Sequence, residues 1–345
     1  MSGTRLNFDE PIGDGITRLR FSPESNNLLI SSWDSKFRLF DVDSNRLRLE
    51  AQTEAAHLDC CFESGFIAYS AGSDGSVCRY DLHSGAYGAI GRHDDVATCI
   101  EYSDATGQVI TTGWDGKILS WDSRIEAASQ EHLIGLTSHA ESMSVWGFEL
   151  LVATGSLVHK HDLRKLDGAV HKQDLSMGVP IRCMRSVCPN LCWEGFAVGS
   201  VDGRVTLQSN SEEMEYLSAI HYWNIANNDD DLFTFRCHPK SKNGKYHLVA
   251  VNDITFNPSV RGAIVTGDDE GYVIAWDARR RRRLLELPRC PNSVAALSYN
   301  HTGEFLAIAS SYTCQEANEI EDHPQIFIQE MGESHFRSAS AKSSS

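Results

Sequence analysis

Gly113-Trp114-Asp115-Gly116-Lys117-Ile118-Leu119-Ser120-Trp121-Asp122 reads as a tight Asp-Gly turn followed by an alternating strand that closes on an aromatic residue and an aspartate. The same sentence recurs along the chain. Trp33-Asp34 runs on to Phe40-Asp41, Ser73-Asp74-Gly75 to Tyr80-Asp81, Gly155 to His161-Asp162, and Glu270-Gly271 to Trp276-Asp277. In each complete copy the turn residue and the final Asp are seven positions apart. Asp202-Gly203 opens the same turn, but Leu207-Gln208 lacks the closing pair. Successive turn residues at 34, 74, 115, 155 and 202 are 40, 41, 40 and 47 apart.

A period near 40 with that terminal aromatic-Asp is the signature of WD repeats, which close into a β-propeller. Seven blades at about 40–45 residues each use most of the 345 residues. The expectation is an all-β, seven-bladed WD-repeat β-propeller over 1–330 as a single domain, with a disordered Ser-rich tail over 331–345. Each repeat opens with apolar strands, such as Ile16–Phe21 with Leu28–Ser32, and Ala97–Tyr102 with Val109–Thr112. The interval from Asp202 to Glu270 is 68 residues, and its excess predicts an insertion over 209–247 between blades five and six, with a short helix near 212–222. The seventh copy, Val294–Tyr299 and Phe305–Ser310, reaches Ile326-Phe327-Ile328 through an acidic loop. A strand from Arg5 to Phe8 would supply its outer strand, so that pairing of the N- and C-terminal strands closes the ring and leaves no free sheet edge.

Composition narrows the function. The formal net charge is −16, from 47 acidic and 31 basic residues, so the surface repels phosphate backbones and direct nucleic-acid binding is not expected. No apolar run approaches the ~20 residues that span a bilayer, and Met1 to Pro11 lacks a signal-peptide core, which predicts an intracellular protein away from the membrane. The ten cysteines read as reduced thiols; the spacing of Cys183, Cys188 and Cys192 matches no zinc pattern. Val158-His159-Lys160-His161 points two His to one face, yet no metal motif surrounds them. There is no nucleophile elbow or phosphate loop. No enzyme activity, metal or cofactor is expected, and the turn Asp, a His such as His93 and the strand Trp read as an architectural hydrogen-bonded set.

Trp33 and Trp114 stand where repeat two has Ser73, directly before the turn aspartate. A small polar residue suits a solvated turn, so two indoles there at one end of the propeller read as interface anchors. The competing reading packs each against a neighbouring blade. Arg182, Arg204 and Arg236 form a second group, suited to carboxylate or phosphate capture or, more plainly, to a solvated surface. Arg279 to Arg283 is a run of five arginines expected at an exposed hairpin tip of blade six, fit for a nuclear-import signal, an acidic contact or a solvated turn.

Several segments together resemble one branch of the WD-repeat proteins, the mitotic-checkpoint family "budding uninhibited by benzimidazoles", third member. They include Asp14-Gly15-Ile16, Ser31-Ser32-Trp33-Asp34, Gly113-Trp114-Asp115, Phe235-Arg236-Cys237-His238, Val251-Asn252-Asp253-Ile254 and Ser310-Ser311-Tyr312-Thr313 with His323-Pro324. The resemblance runs from about residue 12 to 330. It implies a non-catalytic seven-bladed adaptor of the spindle assembly checkpoint, monomeric within a larger complex. It implies that an acidic partner segment, the GLEBS motif of checkpoint kinase-type proteins, lies across one face on Trp33, Trp114, Arg182 and Arg204. It also implies that Arg236 reads phosphothreonine on a phosphorylated kinetochore scaffold, and that the protein occupies the nucleus and, in mitosis, the kinetochore, with a cytoplasmic pool. The sequence departs from the family at Pro239, at Gln173 to Pro180 and at Val205-Thr206-Leu207-Gln208, as a divergent, plant-type paralogue would.

Two other readings use the same residues. A sister WD-repeat family of messenger-RNA export binds the same motif on a nucleoporin. Trp121-Asp122-Ser123-Arg124 and Trp276-Asp277-Ala278-Arg279 also resemble the WD-x-Arg boxes of cullin ubiquitin-ligase substrate receptors, though ordinary repeat grammar produces that box too.

Overall fold

The computed structural model describes residues 3–122, 130–136, 138–165, 171–174, 178–187, 195–209, 232–237, 240–242, 245–278, 282–313, 322–332 and 336. Among them the strands form seven four-stranded antiparallel sheets and one two-stranded ribbon. Each sheet is a blade written in one stretch of chain from the axis outward. Blade one, for example, runs Ile16–Phe21, Asn27–Ser32, Lys36–Asp41 and Arg46–Gln52. The innermost strands pack one against the next, and that of blade seven returns to that of blade one. The expected seven-bladed propeller is what forms.

Closure follows the expected route, with a shorter strand that begins one residue earlier. Thr4–Arg5, rather than 5–8, pairs with Ile328 and Phe327 and completes blade seven outside Val294–Tyr299, Phe305–Ser310 and Gln325–Glu330. The insertion needs a correction. Leu232–Arg236 pairs with Arg204–Ser209 and is the outer strand of blade five, so the extra chain lies inside that blade and not between blades five and six. Without it the third strand would be an unpaired edge, and the alternating Leu232-Phe233-Thr234-Phe235-Arg236 fits that place. Lys240–Lys242 and Lys245–His247 form the small ribbon before blade six. Residues 210–231, including the expected short helix, lie outside the described residues. In the tail, Met331 and Phe336 are buried in the cluster of blades six and seven, so order reaches beyond 330; the rest of 337–345 is not among the described residues.

Apolar side chains fill the wedges between blades. Cys61, Tyr69, Ala71 and Val77 of blade two pack with Ala97, Ile100, Val109, Leu119 and Trp121 of blade three. Gly91 lies against the Trp121 ring, where an added Cβ would come within 1.9 Å of an indole carbon. Only glycine admits that approach.

Polar side chains on the innermost strands stitch one blade to the next. Asp59 accepts the Ile100 N–H at 3.1 Å, Asp253 the Leu297 N–H at 2.8 Å, and Ser298 Oγ the Phe21 N–H at 3.0 Å. Charges also span the axis. Arg18 of blade one lies 2.8 Å from Asp59 and 3.6 Å from Asp253 of blade six, while Arg185 of blade five reaches Asp253 at 3.0 Å. Arg20 pairs with Glu101 of blade three. Burial alone would raise the Asp59 carboxyl pKa, but Arg18 and Arg20 outweigh it and hold it below the usual carboxylate range.

Candidate partner-binding face

The turns between second and third strands, and the links from one blade to the next, emerge at the same end of every blade, because all strands alternate in direction. A backbone clip fixes the height of each turn on this face. Trp33 N–H donates to Gly15 O at 2.9 Å, Ser73 to Ala56 at 2.9 Å, and Trp114 to Val96 at 2.8 Å. Val201 donates to Pro180 at 3.2 Å, Asp269 to Ala250 at 3.1 Å and Ser311 to Ser293 at 2.9 Å. These six residues are therefore equivalent positions around one ring of turns.

The turn aspartate holds that position from below. In blade three His93 Nδ1 is 3.0 Å from Asp115, His93 Nε2 is 2.8 Å from Thr111 Oγ1, and Trp121 Nε1 donates to the same hydroxyl at 2.8 Å. All partners are satisfied if the indole donates to Thr111, Thr111 to Nε2, and Nδ1–H to Asp115. This is the architectural set expected from the repeat. Blade one reaches the same end differently. Arg38 occupies the interior and bonds Asp34 at 2.5 Å and Ser32 Oγ at 3.1 Å.

With the turn fixed from below, the residue before the aspartate points outward. Trp33 is 41% exposed and Trp114 58%, so neither indole is consumed by the core. Trp33 lies beside Gly15 and Tyr312, whose hydroxyl donates to Asp14 at 2.6 Å, and Trp114 is 6.3 Å from the His139 ring. Val201, equivalent on blade five, is 39% exposed. Sequence reading passed over it because valine in a strand-rich chain looks ordinary. Setting its turn against those of Trp33 and Trp114 would have picked it out.

Blade five gathers the arginines. Arg204 and Arg236 are direct cross-strand partners, and Asp202 serves both. Arg204 Nε donates to Asp202 Oδ2 at 2.8 Å, while Arg236 donates to the Asp202 carbonyl at 3.3 Å and stands 3.8 Å from its carboxylate. Burial opposes the charged Asp202, yet its bonds to Arg204 and Ser200 keep its pKa below the usual range. Arg182 is half-buried at the irregular start of the innermost strand, where blades one and three have Thr17 and Thr98. The structure thus brings Arg204 and Arg236 together and puts Arg182 on the same blade. The two indoles stand on blades one and three of the same face.

Other expected features land elsewhere. His159 Nε2 is committed to Thr154 Oγ1 at 2.7 Å, and no group of His, Cys, Asp and Glu among the described residues is arranged to hold a metal. Of the five arginines, Arg282 and Arg283 open the outer strand of blade six at the opposite end of the propeller, Arg283 paired with Glu286 at 2.5 Å. Arg279 to Arg281, and Ser123 and Arg124 of the first WD-x-Arg box, lie outside the described residues.

Comparison with known proteins places the chain. Residues 7–41 match the WD domain, G-beta repeat family. The chain is 48% identical over 331 residues to the mitotic checkpoint protein BUB3.3 of Arabidopsis thaliana, covering 95% of this chain and 99% of that one. It is 37% identical over 330 residues to BUB3.1 of the same plant, covering 94% and 92%. Among solved structures, the RRP9 WD40 repeats superpose with a TM-score of 0.76 at 15% identity over 94% of this chain and 97% of theirs, a likeness of fold alone.

Proposed function

The chain belongs to the BUB3 family of mitotic checkpoint proteins, a WD-repeat propeller, and on that premise we propose that it is a non-catalytic adaptor of the spindle assembly checkpoint. One face binds an acidic, GLEBS-like segment of a checkpoint kinase-type partner. The observation that carries this reading is the pair of half-exposed indoles, Trp33 and Trp114, at equivalent turns of one face that also bears Arg182 and Arg204. Ser73, at the equivalent turn of blade two, keeps the same backbone clip without an indole. Buried by a partner, an indole is worth about 2 kcal/mol or more.

Arg236 takes a phosphothreonine of a phosphorylated kinetochore scaffold, with Arg204 opposite it. The protein then works in the nucleus and at mitotic kinetochores, with a cytoplasmic pool. The names of both plant relatives favour this over messenger-RNA export and over a ligase-receptor role. Affinity purification from dividing and interphase cells tests it. Checkpoint kinase-type partners should be enriched in the mitotic sample, and recovery of nucleoporins or a cullin adaptor instead would replace the reading.

A further inference from the structure

The end of the propeller opposite the partner-binding face carries the hairpins that join each first strand to its second. One residue before the second strand, another set of backbone clips marks equivalent places. Val42 N–H donates to Asn26 O at 3.2 Å, Leu82 to Phe66 at 2.8 Å, Leu163 to Phe148 at 2.8 Å, Ala278 to Gly262 at 2.8 Å and Met331 to Glu304 at 2.7 Å. Blades one, six and seven thus have a polar residue or glycine there, as a solvated turn prefers. Blades two and four have phenylalanines, 70% and 40% exposed. Trp146, 46% exposed, stands on the other side of Gly147. It pairs with Glu149, so the chain reverses in two residues, Gly147 at φ +55° and Phe148. Glycine followed by Asn, Asp or Ser is what such a turn takes, so it needs neither ring.

The charges around these rings favour a cation. Arg164 already lies over the Phe148 ring, 4.9 Å from its centre. The blade-three hairpin touches that of blade four where Ser103 Oγ donates to Gly147 O at 3.4 Å, and the next residue, Asp104, is exposed. Two cations of blade four are met within it, Arg164 by Asp162 at 2.6 Å and Lys160 by Glu149, with Lys165 exposed beyond them. Blade two adds Glu63, which accepts the Tyr69 hydroxyl, and Asp81, which holds the N–H groups of its own turn. It also adds half-buried Arg79 and the exposed imidazole of His83. Blade three adds Asp122 and, nearer the axis, Glu101, paired with Arg20. Carboxylates therefore outnumber cations among the described side chains at this end of blades two to four.

We infer that a second partner docks on this end: a segment whose arginine or lysine lies on the Trp146 indole beside Asp104, and whose apolar side chains cover Phe148 and Phe66. An exposed apolar patch rimmed by polar groups marks a protein contact, and a cation between an aromatic face and a carboxylate satisfies both. The inference stands apart from the reading of the opposite face and gives the propeller an occupant at each end.

The test uses the full chain and short labelled synthetic peptides, one arginine scanned through a background of Leu, Phe, Ser and Gly, with matched sets that carry Glu in its place. In fluorescence anisotropy the arginine set should bind about tenfold or more tightly than the glutamate set. Trp146→Ala should cost about tenfold, and Asp104→Lys, a change at an exposed hairpin, should reverse the preference. Excess GLEBS-like peptide should not displace the arginine set. Equal binding of the two sets, binding of neither, displacement by the GLEBS-like peptide, or a preference that survives both substitutions overturns the inference. Arg282 and Arg283 stand at this same end on blade six, so a second copy is the competing occupant. A dimer in sedimentation velocity that Trp146→Ala dissolves would put that copy in the partner's place and overturn the inference too.

Discussion

Arg204 and Arg236 face each other across adjacent strands of blade five, and Asp202, which opens the blade's turn, lies against both. Like charges opposite one another in a sheet are unfavourable, and the Asp202 carboxylate offsets part of that repulsion. The pair sets two guanidinium groups side by side on a chain whose net charge is −16. Two guanidinium groups favour a phosphate dianion over a neutral hydroxyl.

Arg236→Ala is therefore expected to lower affinity for a phosphothreonine peptide about tenfold or more while leaving the unmodified peptide little changed. Fluorescence anisotropy with the matched peptides checks it. Equal losses on both would count against phosphate reading.

Trp33→Ala combined with Trp114→Ala should lower the melting temperature only slightly, since both indoles are half-exposed at turns outside the core. Affinity for the partner segment should drop by about 2 kcal/mol or more, roughly thirtyfold, in titration calorimetry. Undiminished binding would refute the face.

Blade three offers the opposite case. Trp121→Ala removes a buried indole and should cost about 3–5 kcal/mol of unfolding free energy. Thr111→Val keeps the shape but strips the hydroxyl shared by Trp121 and His93, and should cost about 1–3 kcal/mol. Urea unfolding compares the two, and a Thr111→Val chain as stable as wild type would show that the shared bond is dispensable.

Ser35 holds φ at +61°, in the turn position that glycine takes with positive φ at Gly75, Gly116, Gly203 and Gly271. Ser35→Gly should raise stability by about 1 kcal/mol by relieving left-handed strain, less the extra freedom glycine gains when unfolded. A fall in the melting temperature would mean that the serine side chain contributes more than it strains.

Stability should also decline in mild acid. Burial pushes the imidazoles of His57 and His161 down to about 4, with His159 adding to the effect at His161. Above their ordinary value of 6.5 both states are neutral there and stability is flat. As pH falls from 6.5 to about 4 the unfolded chain takes up protons that the folded chain refuses, so unfolding becomes easier. Denaturant midpoints between pH 7.5 and 4.5 should fall, and His57→Gln with His161→Gln should flatten the slope.

The repeat was legible because turn chemistry and strand alternation are local, and six copies in register outvote any one imperfect copy. Trp33 and Trp114 stood out for the same reason: each breaks the small-polar pattern at a fixed place. What the sequence hid was long-range. Leu232–Arg236 reads as part of an insertion because 22 intervening residues separate it from the strand it pairs with, and spacing arguments lose strands across such gaps. The axial links from Arg18 and Arg20 to Asp59, Asp253 and Glu101 join blades far apart in the chain, and no periodicity encodes them. Val201 needed the turns to be laid over one another in space.

Thr4 and Arg5, which complete blade seven, precede every other strand in the chain and must wait for Phe327 and Ile328 before they find a place. Nascent chains can therefore assemble blades in order, but the circle cannot shut until the last blade has been made. A bulky group attached at Thr4 or Arg5 would sit at that seam and should hinder its closing.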